Sequence, residues 1–136
     1  MTIVIKSIAT PRGVLVNATA EEALEAGASP ADIAAALGAD RLYSIKTECR
    51  RRIYAVASAE TQTNMASVAA VIGAKTATAR TDAEKGQVAA FGMALEWVQA
   101  MRGAAQTLAA DAEADFAADA RWPACPAEVV ALAASF

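Results

Sequence analysis

The 136-residue chain contains no histidine, two cysteines, three phenylalanines, two tryptophans and two tyrosines. Each scarcity closes off a class of chemistry. Without imidazole there is no Ser-His-Asp or Cys-His catalysis, no imidazole proton relay and no His-bearing metal site. Cys49 and Cys125 are far apart in the chain. They make no disulfide framework and cannot close a zinc site alone, so they read as two small buried or half-buried residues in a reducing compartment. Twelve Lys+Arg against fifteen Asp+Glu leave a net charge of -3. That balance provides no cationic surplus for a nucleic-acid groove. No stretch approaches the roughly 20 apolar residues that span a bilayer. The run from Ile3 to Ile8 is broken by Lys6 and has no basic region before it, which is not the pattern of a signal peptide. Seven glycines and four prolines are too few for a collagen-like or low-complexity chain.

What is present is alanine. Hydrophobic residues make up 56% of the chain, but 39 of them are Ala, and Ile, Leu, Val and Phe together number only 27. Alanine is the best helix former and adds little buried area. The composition therefore predicts a strongly helical chain with a thin core, helped by other copies or by a partner.

The order of elements follows from local signals. Residues 2–9 (TIVIKSIA) and Val14–Val16 read as two strands joined by the turn Thr10-Pro11-Arg12-Gly13. Such a lone hairpin is marginal in water and wants a sheet edge or a covering helix. Thr19 with Glu22 forms a capping-box pattern, and Gly27 suits a helix stop. Ser29-Pro30 with Asp32 opens a second short helix that Gly38 is expected to end. A long helix is expected from Asp40 to about Gly73, with Leu42, Ile45, Cys49, Ile53 and Val56 at 3-4 spacing, then a polar stretch Gln62-Thr63-Asn64. At 1.5 Å per residue it would reach about 45 Å. The bend falls between Gly73 and Asp82, with Thr81 or Asp82 capping a return helix to about Ala110. On that helix Val88, Phe91, Leu95 and Val98 form a second seam, and Gly86, Gly92 and Gly103 permit close helix approach. Pro123 is expected to break a helix, and Pro126 with Glu128 to start a last short one.

The predicted fold class is thus mainly α: a long antiparallel, coiled-coil-like helical hairpin with a short N-terminal β-hairpin and short capped helices. Two regions are expected, residues 1–39 as a docking module and 40–136 as the helical hairpin with its C-terminal helix. The residues expected at interfaces are Ile3, Ile5, Val14 and Val16 on the β-hairpin, Ile45, Cys49, Ile53 and Val56 on the first long helix, Phe91, Leu95 and Val98 on the second, and Trp122.

Few motifs carry chemistry. Arg50-Arg51-Arg52 spreads over three helix directions, which suits a solvated face paired with Glu48 and other acids, or an anionic partner surface. Asp111, Glu113, Asp115 and Asp119 alternate as in a calcium loop. The sixth position is Phe116 and the twelfth Trp122, where an EF-hand needs Gly and Glu, so an acidic face is the better reading. Gln62-Thr63-Asn64 reads as a solvated patch or as a buried polar layer between copies. Trp97 and Trp122 read as packing anchors. Gly73-Ala74-Lys75-Thr76 lacks the upstream glycine of a P-loop. No catalytic residue, metal or cofactor is indicated.

Three stretches carry a family resemblance: CRRRIYAVASAETQTNMAS at 49–67, FGMALEWVQAMRGAAQTLAAD at 91–111 and DFAADARWPACPAEVVALAASF at 115–136, the most specific string being Trp-Pro-Ala-Cys-Pro at 122–126. Through them the chain from Lys46 to Phe136 resembles small proteins encoded among phage and prophage tail genes. The opening VLVNATAEEALEAGASPADI is similar to short modules of tail-fibre and tail-fibre-assembly proteins. The resemblance implies a non-enzymatic virion protein of the tail tip or tail fibre. It would be made in the bacterial host cytoplasm and join other virion proteins; the thin Ala-based core and long helices favour self-association, with a trimer first, and the acidity and the lack of a long apolar run speak against nucleic acid and membrane. A capsid-decorating cement protein and a tail-fibre assembly chaperone absent from the finished particle are the alternatives.

Overall fold

The structure is a computed structural model and describes residues 2–136. It is mainly helical, with an N-terminal two-stranded antiparallel hairpin, as the composition and caps predict. The chain divides into two compact units, Met1–Lys46 and Thr47–Phe136, and the division falls inside a helix rather than between residues 39 and 40.

In the N-terminal unit, strand β1 (Val4–Thr10) pairs with β2 (Gly13–Thr19) across a two-residue loop, with Thr10 opposite Gly13 and Ile5 opposite Ala18. Gly13 sits at φ +121°, where a side chain would be strained. Ile5 and Ile8 both point into the core although they are three apart, as do Ala18 and, partly, Leu15 on β2. Strict alternation would put Ile5 and Ile8 on opposite faces. The switch of face falls at Lys6 and Asn17, which are missing from the paired positions. Asn17 adopts φ +55°, and the Lys6 N–H donates to Asp40 Oδ2 at 2.8 Å.

Helix α1 (Ala20–Glu25) starts on the predicted capping box: Thr19 Oγ1 accepts from the Glu22 N–H, and Glu22 accepts from the Thr19 N–H. It ends in a Schellman arrangement, with Ala28 N–H donating to Ala23 O and Gly27 N–H to Leu24 O. Gly27 has φ +92°, and a Cβ there would sit 3.3 Å from Pro11 Cγ, so the turn of the hairpin packs on the stop of the helix. Ile5, Ile8, Ala23, Ala28 and Ile33 form this unit's core.

Helix α2 (Pro30–Val56) begins where Ser29 and Asp32 cap one another. It runs through Gly38 instead of stopping there. Glycine costs about 1 kcal/mol in a helix interior, and no proline or left-handed residue follows to enforce an end. The expected helix over 40–73 is broken at Ala57-Ser58, just before its polar stretch, which is itself helical. Ser58 leaves helical geometry and caps α3 (Ala59–Gly73) by accepting from the Thr61 N–H, while Gln62 Nε2 donates to Ala57 O at the end of α2.

In the C-terminal unit, a single 3-10 turn (Ala77–Ala79) leads to α4 (Asp82–Ala110), capped reciprocally by Thr81 and Glu84. Arg80 Nε donates to Ile72 O, satisfying a carbonyl near the end of α3. Helix α4 packs on α3 and on α5 (Ala127–Ala134). Its buried face is Trp97, Met101, Ala105 and Leu108, so the seam expected at 88, 91, 95 and 98 is not the core-facing one. Trp97 and Met101 are large and continue into Leu108, and the thin core forms where the bulk is. No helix precedes Pro123 beyond a 3-10 turn at Asp119–Arg121. From Asp111 the chain makes three successive turns, each opened by an aspartate: Ala114 N–H donates to Asp111 O, Ala118 N–H to Asp115 O and Trp122 N–H to Asp119 O.

Candidate functional site

Two surfaces gather the residues singled out by sequence. The first is the outer face of the β-hairpin. Val4, Val14 and Val16 of its strands are exposed, the last two at 66% and 65%, and Ile3, 71% exposed, lies just before β1. Among the described residues no third strand pairs with either edge. Ile5 is fully buried in the hairpin's own core, so of the four hairpin residues expected at an interface it alone is turned inward. Lys6 is engaged with α2, its Nζ 4.5 Å from the centre of the Tyr43 ring.

The second is centred on Arg52. Its Nε donates to Glu48 at 2.7 Å, one terminal nitrogen to Asp119 at 2.8 Å and the other to Ala117 O at 2.9 Å. Its guanidinium lies 5.4 Å from the centre of the Trp122 ring. Trp122 is buried, and its indole N–H donates to Phe116 O at 2.7 Å; Trp97 donates likewise to Pro123 O at 3.1 Å. Arg51 also pairs with Glu48, and its guanidinium is the main reason the Glu48 carboxyl is held below its ordinary value. An open cleft of about 430 Å3 lies here, bordered by Arg52, Trp97, Met101, Trp122 and Cys125. Each of the three Arg52 guanidinium nitrogens donates to a partner within the chain, which ties the side chain to α2 and to the stretch after α4. Burial pushes the Cys125 and Cys49 thiols up, which disfavours the reactive thiolate.

The remaining interface residues divide by burial. Ile45, Cys49 and Trp122 are covered by the chain itself, so in this fold they are core residues rather than contact residues. Ile53, Val56, Phe91 and Val98 are half-buried, with Phe91 against Phe136 at 6.4 Å between ring centres. Leu95 stands 68% exposed. Thr63 and Asn64 are exposed and Gln62 is half-buried, its amide used on Ala57. Of the acidic stretch, Asp111 and Asp115 accept from backbone N–H groups two residues on, and Asp119 pairs with Arg52. Among the described residues no group of three or more acids or cysteines is placed to hold a metal ion. Sequence reading missed the Arg52–Asp119 and Lys6–Asp40 links, which join residues far apart in the chain. It also missed the Ser58 cap, which a Ser followed by Ala-Glu signals directly. Compared with known proteins, the chain matches no family model and no curated protein.

Proposed function

We propose that this chain is a non-enzymatic structural protein of a phage virion, of the tail tip or tail fibre, which associates with copies of itself through its helices and docks on another virion protein through its β-hairpin. The observation that carries the docking role is the outer face of that hairpin: three β-branched side chains of its strands, Val4, Val14 and Val16, stand in solvent on a sheet of only two strands. Apolar side chains over open strand edges are what a partner strand or surface covers. Lys6 and Arg12 discourage indiscriminate pairing without preventing a specific one. The virion setting rests on the tail-gene resemblance of the stretches at 49–67, 91–111 and 115–136. The ionisable groups around Arg52 pair with one another, which supports a packing role for that cluster.

Mass spectrometry of purified particles of a phage encoding this chain tests the proposal. The chain should be present at a handful of copies per particle. Hundreds of copies would instead make it a capsid-decorating protein, and its absence from particles would make it an assembly chaperone. The double substitution V14D/V16D, on the exposed face, should leave the circular dichroism unchanged and prevent incorporation. Normal incorporation of that variant would remove the docking role from the hairpin.

A further inference from the structure

One side of α4, next to its buried face, carries a pattern that its own chain covers only in part, Phe91 meeting Phe136. Glu84, Val88, Phe91, Leu95, Val98 and Arg102 follow one another at steps of 4, 3, 4, 3 and 4, which keeps them on a single helix stripe. The buried side of α4 runs through Trp97, Met101, Ala105 and Leu108 instead. Within the stripe Leu95 is exposed, Val88 is at the margin of exposure, and Phe91 and Val98 are half-buried. The stripe is also symmetric in sequence about Met93. Val88 and Val98 are equidistant from it, as are Phe91 and Leu95, and as are Glu84 and Arg102, which carry opposite charges.

We infer that this stripe is the contact by which two copies pair, α4 against α4, antiparallel, across a two-fold axis that crosses the stripe between Phe91 and Leu95, at the level of Met93 along the helix. The inference rests on the proposed self-association and specifies its surface, direction and copy number, which becomes two. A second copy is the one partner whose complementarity is already written in the chain. Laid antiparallel about Met93, Val88 meets Val98 of the other copy, Phe91 meets Leu95, and Arg102 arrives beside Glu84. Laid parallel and in register, Arg102 would face Arg102, with no acid within five residues of it on α4 to relieve the repulsion. Glu84 already receives Lys75 Nζ and the Thr81 N–H, so its pairing with Arg102 selects orientation more than it adds affinity.

Small residues make the approach possible. Gly92 and Gly103 flank the stripe on its solvent side and are exposed, and a Cβ placed on either would meet nothing within 4 Å. Along α4, Gly92 is within one residue of the level of the two-fold axis, so this gap at the edge of the stripe falls close to the middle of the contact. Gln99 lies between the two glycines and is exposed, and its flexible side chain can turn to solvent. The apolar stretch from Val88 to Val98 is about 15 Å long at 1.5 Å per residue. That short seam fits association in the micromolar range rather than a permanent complex.

Sedimentation velocity of the full chain, from about 1 to 100 µM, gives the first readout. A concentration-dependent species of twice 13.9 kDa is expected. Leu95→Glu changes an exposed residue on both copies, so its circular dichroism should match the parent while its dissociation constant rises about 100-fold. Gly92→Leu, which fills the gap between the helices, should weaken pairing while the monomer keeps its fold. Orientation is read by cysteine cross-linking, with the bridged peptides identified by mass. A mixture of V88C and V98C chains should give the 88–98 bridge, and V88C alone should give no 88–88 bridge. A strictly monomeric parent would refute both self-association and this pairing. An oligomer indifferent to Leu95→Glu, or one giving 88–88 bridges, would keep self-association and overturn the pairing. Neither result depends on whether the chain is found in virions.

Discussion

Removing Arg52 should destabilise the C-terminal unit by more than any other single charged substitution. The side chain is only 15% exposed. Its four interactions are unequal. Asp119 is almost fully exposed, so that ion pair contributes a few tenths of a kcal/mol at most. Glu48 keeps Arg51 as a partner when Arg52 is gone. What cannot be replaced is the charged hydrogen bond to Ala117 O and the guanidinium laid on Trp122. Together they put Arg52→Ala at about 2–3 kcal/mol. Both tryptophans belong to this unit, so indole fluorescence during urea or thermal unfolding reports on it selectively. The melt seen by fluorescence should fall by about 10 °C or more. Arg52→Lys retains the charge without the planar fork and should recover less than half of the loss. Asp119→Asn should change stability by less than about 0.5 kcal/mol. Equal stability of Arg52→Lys and the parent, or an Asp119→Asn effect as large as that of Arg52→Ala, would refute this ranking.

Other outcomes follow from single positions. Gly38→Ala replaces an exposed glycine in the interior of α2 where the added Cβ meets nothing, and should stabilise the chain by about 0.5–1 kcal/mol in urea unfolding. Glu48 is held below its ordinary 4.5 chiefly by Arg51, so its carboxylate contributes stability above about pH 4.5 that is lost as pH falls through the lower native value. Stability of Glu48→Gln measured between pH 6 and 3 should therefore fall less steeply than that of the parent, although Asp32 and Glu84, lowered in the same sense, keep some slope. Cys125 is half-buried and Cys49 buried, with both thiols pushed up by burial. A thiol reagent at pH 7.5 should modify Cys125 slowly and Cys49 only on unfolding, and peptide mapping of partly labelled protein checks the order.

The elements that could be read from the sequence were those set by neighbouring residues. Thr19 with Glu22, Ser29 with Asp32 and Thr81 with Glu84 each close a cap within four residues, and all three are formed. The turn at Thr10–Gly13 and the span of α4 are equally local. Gly38 misled because a helix stop needs more than a poor helix former: it needs a left-handed residue, a proline or a competing cap. Ser58 is the reverse case, a cap followed by an acidic first turn that lies inside a stretch read as one continuous helix. The phase of α4 could not be settled locally, since 88-91-95-98 and 97-101-105-108 both keep helical spacing and only tertiary packing chooses between them. The aspartates at 111, 115 and 119 repeat every four residues, a spacing that suits a helix face as well as the chain of turns they form. The Arg52 cluster joins residues more than sixty positions apart, and nothing in the local pattern ranks Asp119 above its acidic neighbours.

The irregular stretch after α4 is fastened by an unusual grip. Arg52 holds Ala117 O, Trp122 holds Phe116 O, and Trp97 holds Pro123 O. In each case a long side chain grasps a main-chain oxygen, which every residue type supplies. The path of this stretch therefore makes few demands on the identities of the residues that follow it. Substitution at Phe116, Ala117 or Pro123 would leave the gripped oxygen in place, provided one arginine, two tryptophans and the turn-holding Asp111 and Asp115 stay. Related chains would then share this course of the backbone while differing along most of its letters, and two indoles and a guanidinium at the right separations would be a better guide to kinship than overall identity.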